Sequence, residues 1–467
     1  MRPERSEREL FDEQYRALMW SVRGDSPLVR ELEAIDRLLD EIPEIVKRVR
    51  ADLTNSARDR RGRREEVSAE QVVRCAILYQ LRQWDYRDLT AEIEPSPLYR
   101  KFTRFYGRKI PHFATLNELI RLIRPETWRL INESLLTVGI KKNVEDGKEI
   151  RHDTSVTQAD IAFPLDSRLL WDSVRVLCRH IVRLRQAAPE LVFTFHDRTR
   201  AVKKLAYRIV LLKGAHIEDK RRGLYTQLLD YQAEVRRYAD GALTACESAE
   251  AAIAFRHEVH AEYEQLRYYL PLADRVHDQA RRRVLDGQSV PANEKLVSIF
   301  EPHTAIIKRG KQTDKTEFGH KFAVATGRSG LITFYEVFEG NPGDNEVLPR
   351  ALEHHVKMFG QAPERVTADR RYHSADNEAT AEKIGVQQIA LPKPGALSPV
   401  RTALQKSSWF RRLLRWRAGI EGNLSTLLRR FGLTRCLWRG WPAFQSYVGL
   451  GVFTYNLRLL AGHLSHA

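Results

Sequence analysis

Cysteine is scarce in this chain. Cys75, Cys178, Cys246 and Cys436 are its four cysteines, and no two stand at a short spacing, which excludes a disulfide-built scaffold and the paired-thiolate zinc sites. Thiols this sparse fit a reducing cytoplasm. Long apolar runs are also missing: no stretch of about 18 uncharged apolar residues occurs, and the opening Met1-Arg2-Pro3-Glu4-Arg5 lacks the apolar core of a signal peptide. The expectation is a cytoplasmic chain that neither enters nor spans a membrane. A third scarcity is local. From Lys383 to Ala467 there are thirteen Lys or Arg residues and a single acid, Glu421.

Basic charge, in contrast, is abundant. The formal net charge is +16 and the pI about 9.7, a field that attracts polyanions and makes nucleic acid the default partner; solvated helix faces could carry the same balance. With 43% hydrophobic and 30% charged residues over 467 positions and a mean hydropathy of -0.46, the chain is globular, with roughly two to four compact units.

Up to about residue 145 the pattern is helical and charged, broken at the basic stretch 58–64 and at Pro95, Pro97 and Pro111. Ser68 with Gln71 forms a capping box ahead of Val73, Ile77 and Leu81, which recur every four residues. Tyr86, Leu89 and Ile93 resume helical spacing after Gln83-Trp84-Asp85, giving two short helices that are either a helix-turn-helix reader or ordinary core.

From Gly147 the texture turns to strand: 148–157 mixes β-branched and polar residues and contains Asp153. Leu170, Val174, Leu177, Ile181 and Leu184 then follow a 4-3-4-3 spacing, as do Leu224, Leu228, Tyr231, Val235, Tyr238 and Ala242; both stripes read as core seams between helices. Strands return at 297–300, 322–326 and 331–335, the last two as a hairpin through Gly327-Arg328-Ser329-Gly330. A helix over 345–359, a strand over 365–368 ending at Asp369, another helix and a strand over 386–391 complete an α/β domain that a helical block over 166–290 interrupts.

Phosphodiester cleavage with two metal ions needs carboxylates converging from separate elements, because hard cations bind oxygen. Asp153 within a strand and Asp369 at the end of one can meet if those strands are neighbours. Taken alone, Asp153 could cap a turn or face solvent, and His152 beside it reads as a bystander. Glu421 is either one half of a helix salt bridge with Arg417 four residues earlier or an acid beside a metal, ringed by Arg411, Arg412, Arg415, Arg417, Arg429 and Arg430 on phosphates.

At these residues the sequence resembles the DDE transposases of bacterial insertion sequences, most closely the ISNCY type, over nearly the whole chain. The N-terminal stretch Gly62-Arg63-Arg64 through 68–74 to Tyr86-Arg87-Asp88-Leu89 is similar to the helical DNA-binding domain of that group. Blocks Lys315 to Lys321, Gly340-Asn341-Pro342-Gly343-Asp344 and Ala368-Asp369-Arg370-Arg371-Tyr372 resemble the surroundings of the second catalytic aspartate. Trp416-Arg417-Ala418-Gly419-Ile420-Glu421-Gly422, ahead of Arg429-Arg430-Phe431-Gly432-Leu433, resembles the glutamate motif. Three positions depart from the pattern: Arg371 replaces a common glycine, Leu414 a tyrosine and Leu428 a lysine.

The resemblance implies an α/β ribonuclease H-like catalytic domain over 146–165 and 291–467, carrying an all-α insertion over 166–290 and preceded by an all-α DNA-binding domain over 1–145. It implies catalysis and metal binding by Asp153, Asp369 and Glu421 with two Mg²⁺ or Mn²⁺ ions. DNA contacts fall to Arg63, Arg64, Arg87, Lys321, Arg370, Arg417, Arg429 and Arg430. The implied activity is cleavage at transposon ends and strand transfer into target DNA, by a homodimer or larger assembly on inverted repeats and target duplex at the bacterial nucleoid. The rival readings are a catalytically silent DNA-binding derivative and a related nuclease without strand transfer.

Overall fold

The computed structural model describes residues 26–55, 67–213, 217–249, 256–308 and 316–466. The basic stretch 58–64, with Arg63 and Arg64, and Lys315 lie outside the described residues. Contacts divide the chain into one unit of Met1–Asp160 with His320–Ala467 and a second of Ile161–Gly319. By contacts the described N-terminal helices fall in the same unit as the sheet, and the second unit is continuous in sequence.

Helices α1 (Pro27–Glu41), α2 (Pro43–Asn55), α3 (Ala69–Arg82), α4 (Tyr86–Ile93), α5 (Pro97–Phe102), α6 (Phe113–Arg121) and α7 (Pro125–Lys141) come first. The capping box forms: the Ser68 N–H donates to Gln71 Oε1 at 2.9 Å, and the Gln71 N–H donates to Ser68 Oγ at 3.2 Å. Every residue of α3 from Ala69 to Gln80 is buried, so this helix is a core pillar, the ordinary-core alternative, and has no face to lay in a groove. Its Arg74 donates to Glu70 at 3.0 Å, to Asp40 at 2.8 Å and to Asp36, and Arg104 binds the same three acids. Helix α4 does present an outer face. Arg87 is exposed there with its guanidinium 4.8 Å from the Phe113 ring centroid.

Strand β1 (Glu149–Ala159) leads out of this helical layer and into the second unit, built from α8 (Asp166–Ala187), α9 (Thr199–Val210), α10 (Ile217–Glu247) and α11 (His257–Ala280). Leu170, Val174, Leu177, Ile181 and Leu184 of α8 and Leu228, Val235 and Ala242 of α10 are buried in one apolar core, so the periodic stripes are helix seams. The segment 297–300 is not a strand. Ser298 Oγ accepts from the N–H groups of Phe300 and Glu301 at 3.2 and 3.1 Å, a local bond that curls the backbone away from a ladder, while Ile299 plugs the helical core. The strand forms later, as β2 (Ala305–Lys308), antiparallel to the first residues of β3 (Thr316–Thr326).

Beyond Gly319 the first unit resumes with the rest of β3, β4 (Ile332–Val337), α12 (Leu348–Phe359), β5 (Arg365–Thr367), α13 (Ala375–Lys383), β6 (Gln388–Ala390), α14 (Pro399–Lys406), α15 (Ser408–Ala418), α16 (Ile420–Arg430), β7 (Arg435–Cys436) and α17 (Trp441–His466). Here the strand order is β4-β3-β1-β5-β6, with β7 beside the far end of β1. The β3–β4 hairpin is antiparallel; β1, β5 and β6 are parallel. Ile150, Val366 and Ala368 point to the face covered by Val347, Leu348, Leu352 and Ala381 of the α12–α13 layer, and alternation sends Arg151 and Asp153 to the opposite face. The long α17 packs on α7, α1 and α3, and its buried Asn456 side chain exchanges hydrogen bonds with the backbone of Ile332 at 2.8 and 2.9 Å. That contact ties the N-terminal helices to the sheet as one body. Among the described residues no helix is long and apolar enough to cross a membrane.

Replacing Arg74 by Met leaves Asp36 and Glu70 buried with half their cationic partners. Breaking a buried network in this way costs about 3–5 kcal/mol, so Arg74→Met is expected to lower the urea midpoint strongly, as read by tryptophan fluorescence.

Candidate active site

The parallel ladder of β1 and β5 pairs Glu149 with Arg365, Ile150 with Val366 and Arg151 with Thr367. Asp153 follows two residues after that paired segment on β1 and Asp369 two residues after it on the neighbouring path, near enough for the charge of Asp369 to act on Asp153. Arg328 and Arg365 both ion-pair with Glu149 at the start of β1, which anchors the register at its origin. Strand β5 stops at Thr367, and Asp369 caps the single turn Arg370–Tyr372 by accepting from the Arg371 N–H at 3.4 Å. Its carboxylate therefore lies at the carboxyl end of a parallel strand, where ligands of α/β sheets bind.

Asp153 is mostly buried, with 18% of its side chain exposed. Burial pushes its carboxyl up to about 6; the Thr154 N–H, 2.8 Å from Oδ1, and Arg417 pull it down, and the charges of Asp369 and Asp344 push it up again. Arg417 Nη1 lies 3.5 Å from Asp153 Oδ2, and its Nη2 lies 3.7 Å from Glu421 Oε1. The helix salt bridge read from the spacing is present, yet the same guanidinium also reaches the first aspartate. Glu421, at the start of α16, is 72% exposed, so two acids are held by the sheet and the third stands at the rim.

Sequence reasoning passed over several groups here. Asp344 is buried, accepts from Thr154 Oγ1 at 3.1 Å and pairs with Lys321 Nζ at 3.1 Å; it had a signal, its place in the Gly340–Asp344 block. Lys321 also donates to the Pro342 carbonyl at 2.6 Å, so its ammonium is engaged within the fold. The Tyr372 phenol is fully buried beside Asp344, Asp153 and Asp369, and burial with those charges holds its pKa well above the usual value, keeping it neutral. Burial likewise holds the His152 imidazole down at about 3, so it remains a neutral bystander. Arg370, Arg371, Arg411, Arg412, Arg415, Arg429 and Arg430 are exposed, while Leu414 packs against the small core of Phe410 and Leu413.

Residues 277–457 match the family model of the transposase DDE domain. The matched stretch is less than half the chain; it contains Asp369 and Glu421 and omits Asp153. No curated protein and no solved structure matches the chain. The match supports a DDE transposase with a nuclease-type activity. DDE-domain chemistry needs divalent cations, and the donors fit them: hard carboxylate oxygens, gathered where acids outnumber the nearby cations. Among the described residues no three His, Cys, Asp or Glu side chains stand close enough together to hold an ion.

A carboxyl that ionises at 3.8 in the unfolded chain and at about 6 in the fold favours folding fully below the lower value and loses that contribution as pH rises through the higher. Asp153→Asn removes the ionisation. The variant should gain roughly 2–3 kcal/mol over the natural chain at pH 8 and match it near pH 4, as measured by denaturant unfolding at the two pH values.

Proposed function

We propose that this chain is a DDE transposase, which hydrolyses the phosphodiester at the ends of a mobile DNA element and joins the freed 3′-hydroxyl to target DNA. The parallel β1–β5 pairing, with Asp153 and Asp369 each two residues beyond it and the charge of one acting on the other, is the observation that carries the reading. The β3–β4 hairpin on one side of β1 and parallel β5 and β6 on the other support a ribonuclease H-like catalytic domain. The helical unit of Ile161–Gly319 is its insertion.

In this reading Asp153 and Asp369 hold a pair of Mg²⁺ or Mn²⁺ ions, and Glu421 completes the set by turning inward from the rim. Such ions, when bound, lower the pKa of attacking water and neutralise charge on the leaving oxygen. The chain's own side chains do the rest. Burial keeps the Asp153 carboxyl poorly solvated, so it gains by accepting a cation. Arg417, near both Asp153 and Glu421, would be available to a phosphate if those carboxylates were occupied by a cation. Exposed Arg370, Arg429 and Arg430 lie in the same stretch of chain as the acids, where they can follow a DNA backbone. Arg87, on the exposed face of α4, is the described N-terminal candidate for reading the element's ends. Both ends must be held at once, which calls for a dimer or larger assembly on DNA.

The test is cleavage of a labelled duplex taken from the flank of the protein's own coding region. With Mn²⁺ the natural chain should nick the strand at the element end and, with a target plasmid added, yield joined product. Asp369→Asn should reduce both by on the order of 10³-fold or more. Nicking without joined product would identify a nuclease; binding without nicking would leave a DNA-binding derivative.

A further inference from the structure

Arg151, two residues before Asp153 on β1, is a buried cation with no carboxylate partner among the described residues. A buried guanidinium costs several kcal/mol of lost hydration unless its donors are all used. Here three of the five are used, all on dipoles. Nε donates to Thr326 Oγ1 at 2.9 Å, Nη1 to the Trp416 carbonyl at 2.7 Å and Nη2 to Asn423 Oδ1 at 2.8 Å. The plane also lies over the Trp416 ring, 4.9 Å from its centroid.

These partners straddle the joint that carries the third acid. Trp416 is in the last turn of α15, whose free carbonyls form the negative end of the helix, and Asn423 is in the first turns of α16. Between them Gly419 has ordinary helical torsions, φ -64° and ψ -15°, so glycine is not required there for its backbone. Space is the reason. A Cβ on Gly419 would sit 2.6 Å from Arg151 Nη1. Asn423 is held from its other side as well, donating to Tyr455 Oη at 2.6 Å and to the Gly330 carbonyl at 3.3 Å.

With about 100° per residue, Asn423 facing the sheet fixes the azimuth of Glu421, two residues earlier and on the other side of the helix. The bond to the Trp416 carbonyl fixes the axial position of the next residue, Arg417, which touches both Asp153 and Glu421. Resting on the metal-dependent reading above, we propose that Arg151 is a positioning residue that sets the glutamate-bearing helix, in rotation and height, against the strand bearing the first aspartate. A packing residue would do as well as methionine, which often replaces a buried ion without loss of stability. A registering fork would not, and lysine, with a point charge in place of a planar fork, would not replace it either.

The probe is Fe²⁺ with ascorbate and peroxide, added to the full-length chain, because iron held by carboxylates cuts nearby backbone through hydroxyl radicals. The natural chain should be cut near Asp153, Asp369 and Glu421. In Arg151→Lys and Arg151→Met, with folding verified by thermal melting, the cuts near Asp153 and Asp369 should persist while the one near Glu421 is lost. Gly419→Ala, which crowds the guanidinium without removing it, should give the same selective loss and serves if the arginine variants do not fold. Strand cleavage should fall by about 100-fold, the size expected for a misplacement near 1 Å. Three undiminished cuts in the folded variants would overturn the positioning role. Absence of all three cuts in the natural chain would instead overturn the metal reading, and this proposal with it.

Discussion

Parallel pairing of β1 with β5 is the contact on which the rest of the site depends. The two strands are separated by more than two hundred residues, including the whole unit of Ile161–Gly319, and nothing local tells one where the other will lie. A slip of one residue in that ladder would turn Asp369 to the opposite face from Asp153. Two things oppose a slip. Glu149, buried at the start of β1, is gripped by Arg328 and Arg365, and on the other face Ile150, Val366 and Ala368 interlock with the α12–α13 layer. The register is thus fixed by an ion pair at one end and by apolar packing along one face, leaving Asp153 and Asp369 outside the contacts that set it.

That freedom has an electrostatic consequence. Asp153, Asp369 and Asp344 influence one another through a partly dehydrated region, and the nearby cations are already engaged: Lys321 with Asp344, Arg417 with Asp153 and Glu421. The charges of Asp369 and Asp344 add to burial in raising the Asp153 carboxyl, while Lys321 pairs with Asp344, which through Thr154 braces the residue next to Asp153.

How much of this was legible in the residues depended on the range of the interaction. The Ser68 capping box, the seams through Leu177 and Leu228 and the hairpin around Gly330 are local or periodic, and each formed where its spacing put it. The reading at 297–300 failed because the Ser298 hydroxyl competed for the backbone, a choice that β-propensity does not contain. The helix pair that begins with α3 stood between reader and ordinary core, and only Asp36 and Arg104, distant in the chain, make Arg74 and Glu70 of α3 core. Arg151 could be found only through partners 175 or more residues away.

The three acids also differ in what holds them, and the difference bears on how such a site can work. Asp153 and Asp369 ride on a sheet closed on both faces, so their separation is set before anything binds. Glu421 rides on a helix that begins one residue after Gly419, with its carboxylate largely in water and a single arginine as neighbour. Desolvating that carboxylate costs energy that only a cation repays, and a helix pinned at its inner side by Asn423 can turn the Glu421 side chain without moving its axis. In the proposed reading, a rigid pair with a rim acid would leave the site open to an incoming DNA strand and let a rotamer change of Glu421 complete it. Had all three acids come from strands, closure would have required distorting the ladder that defines them.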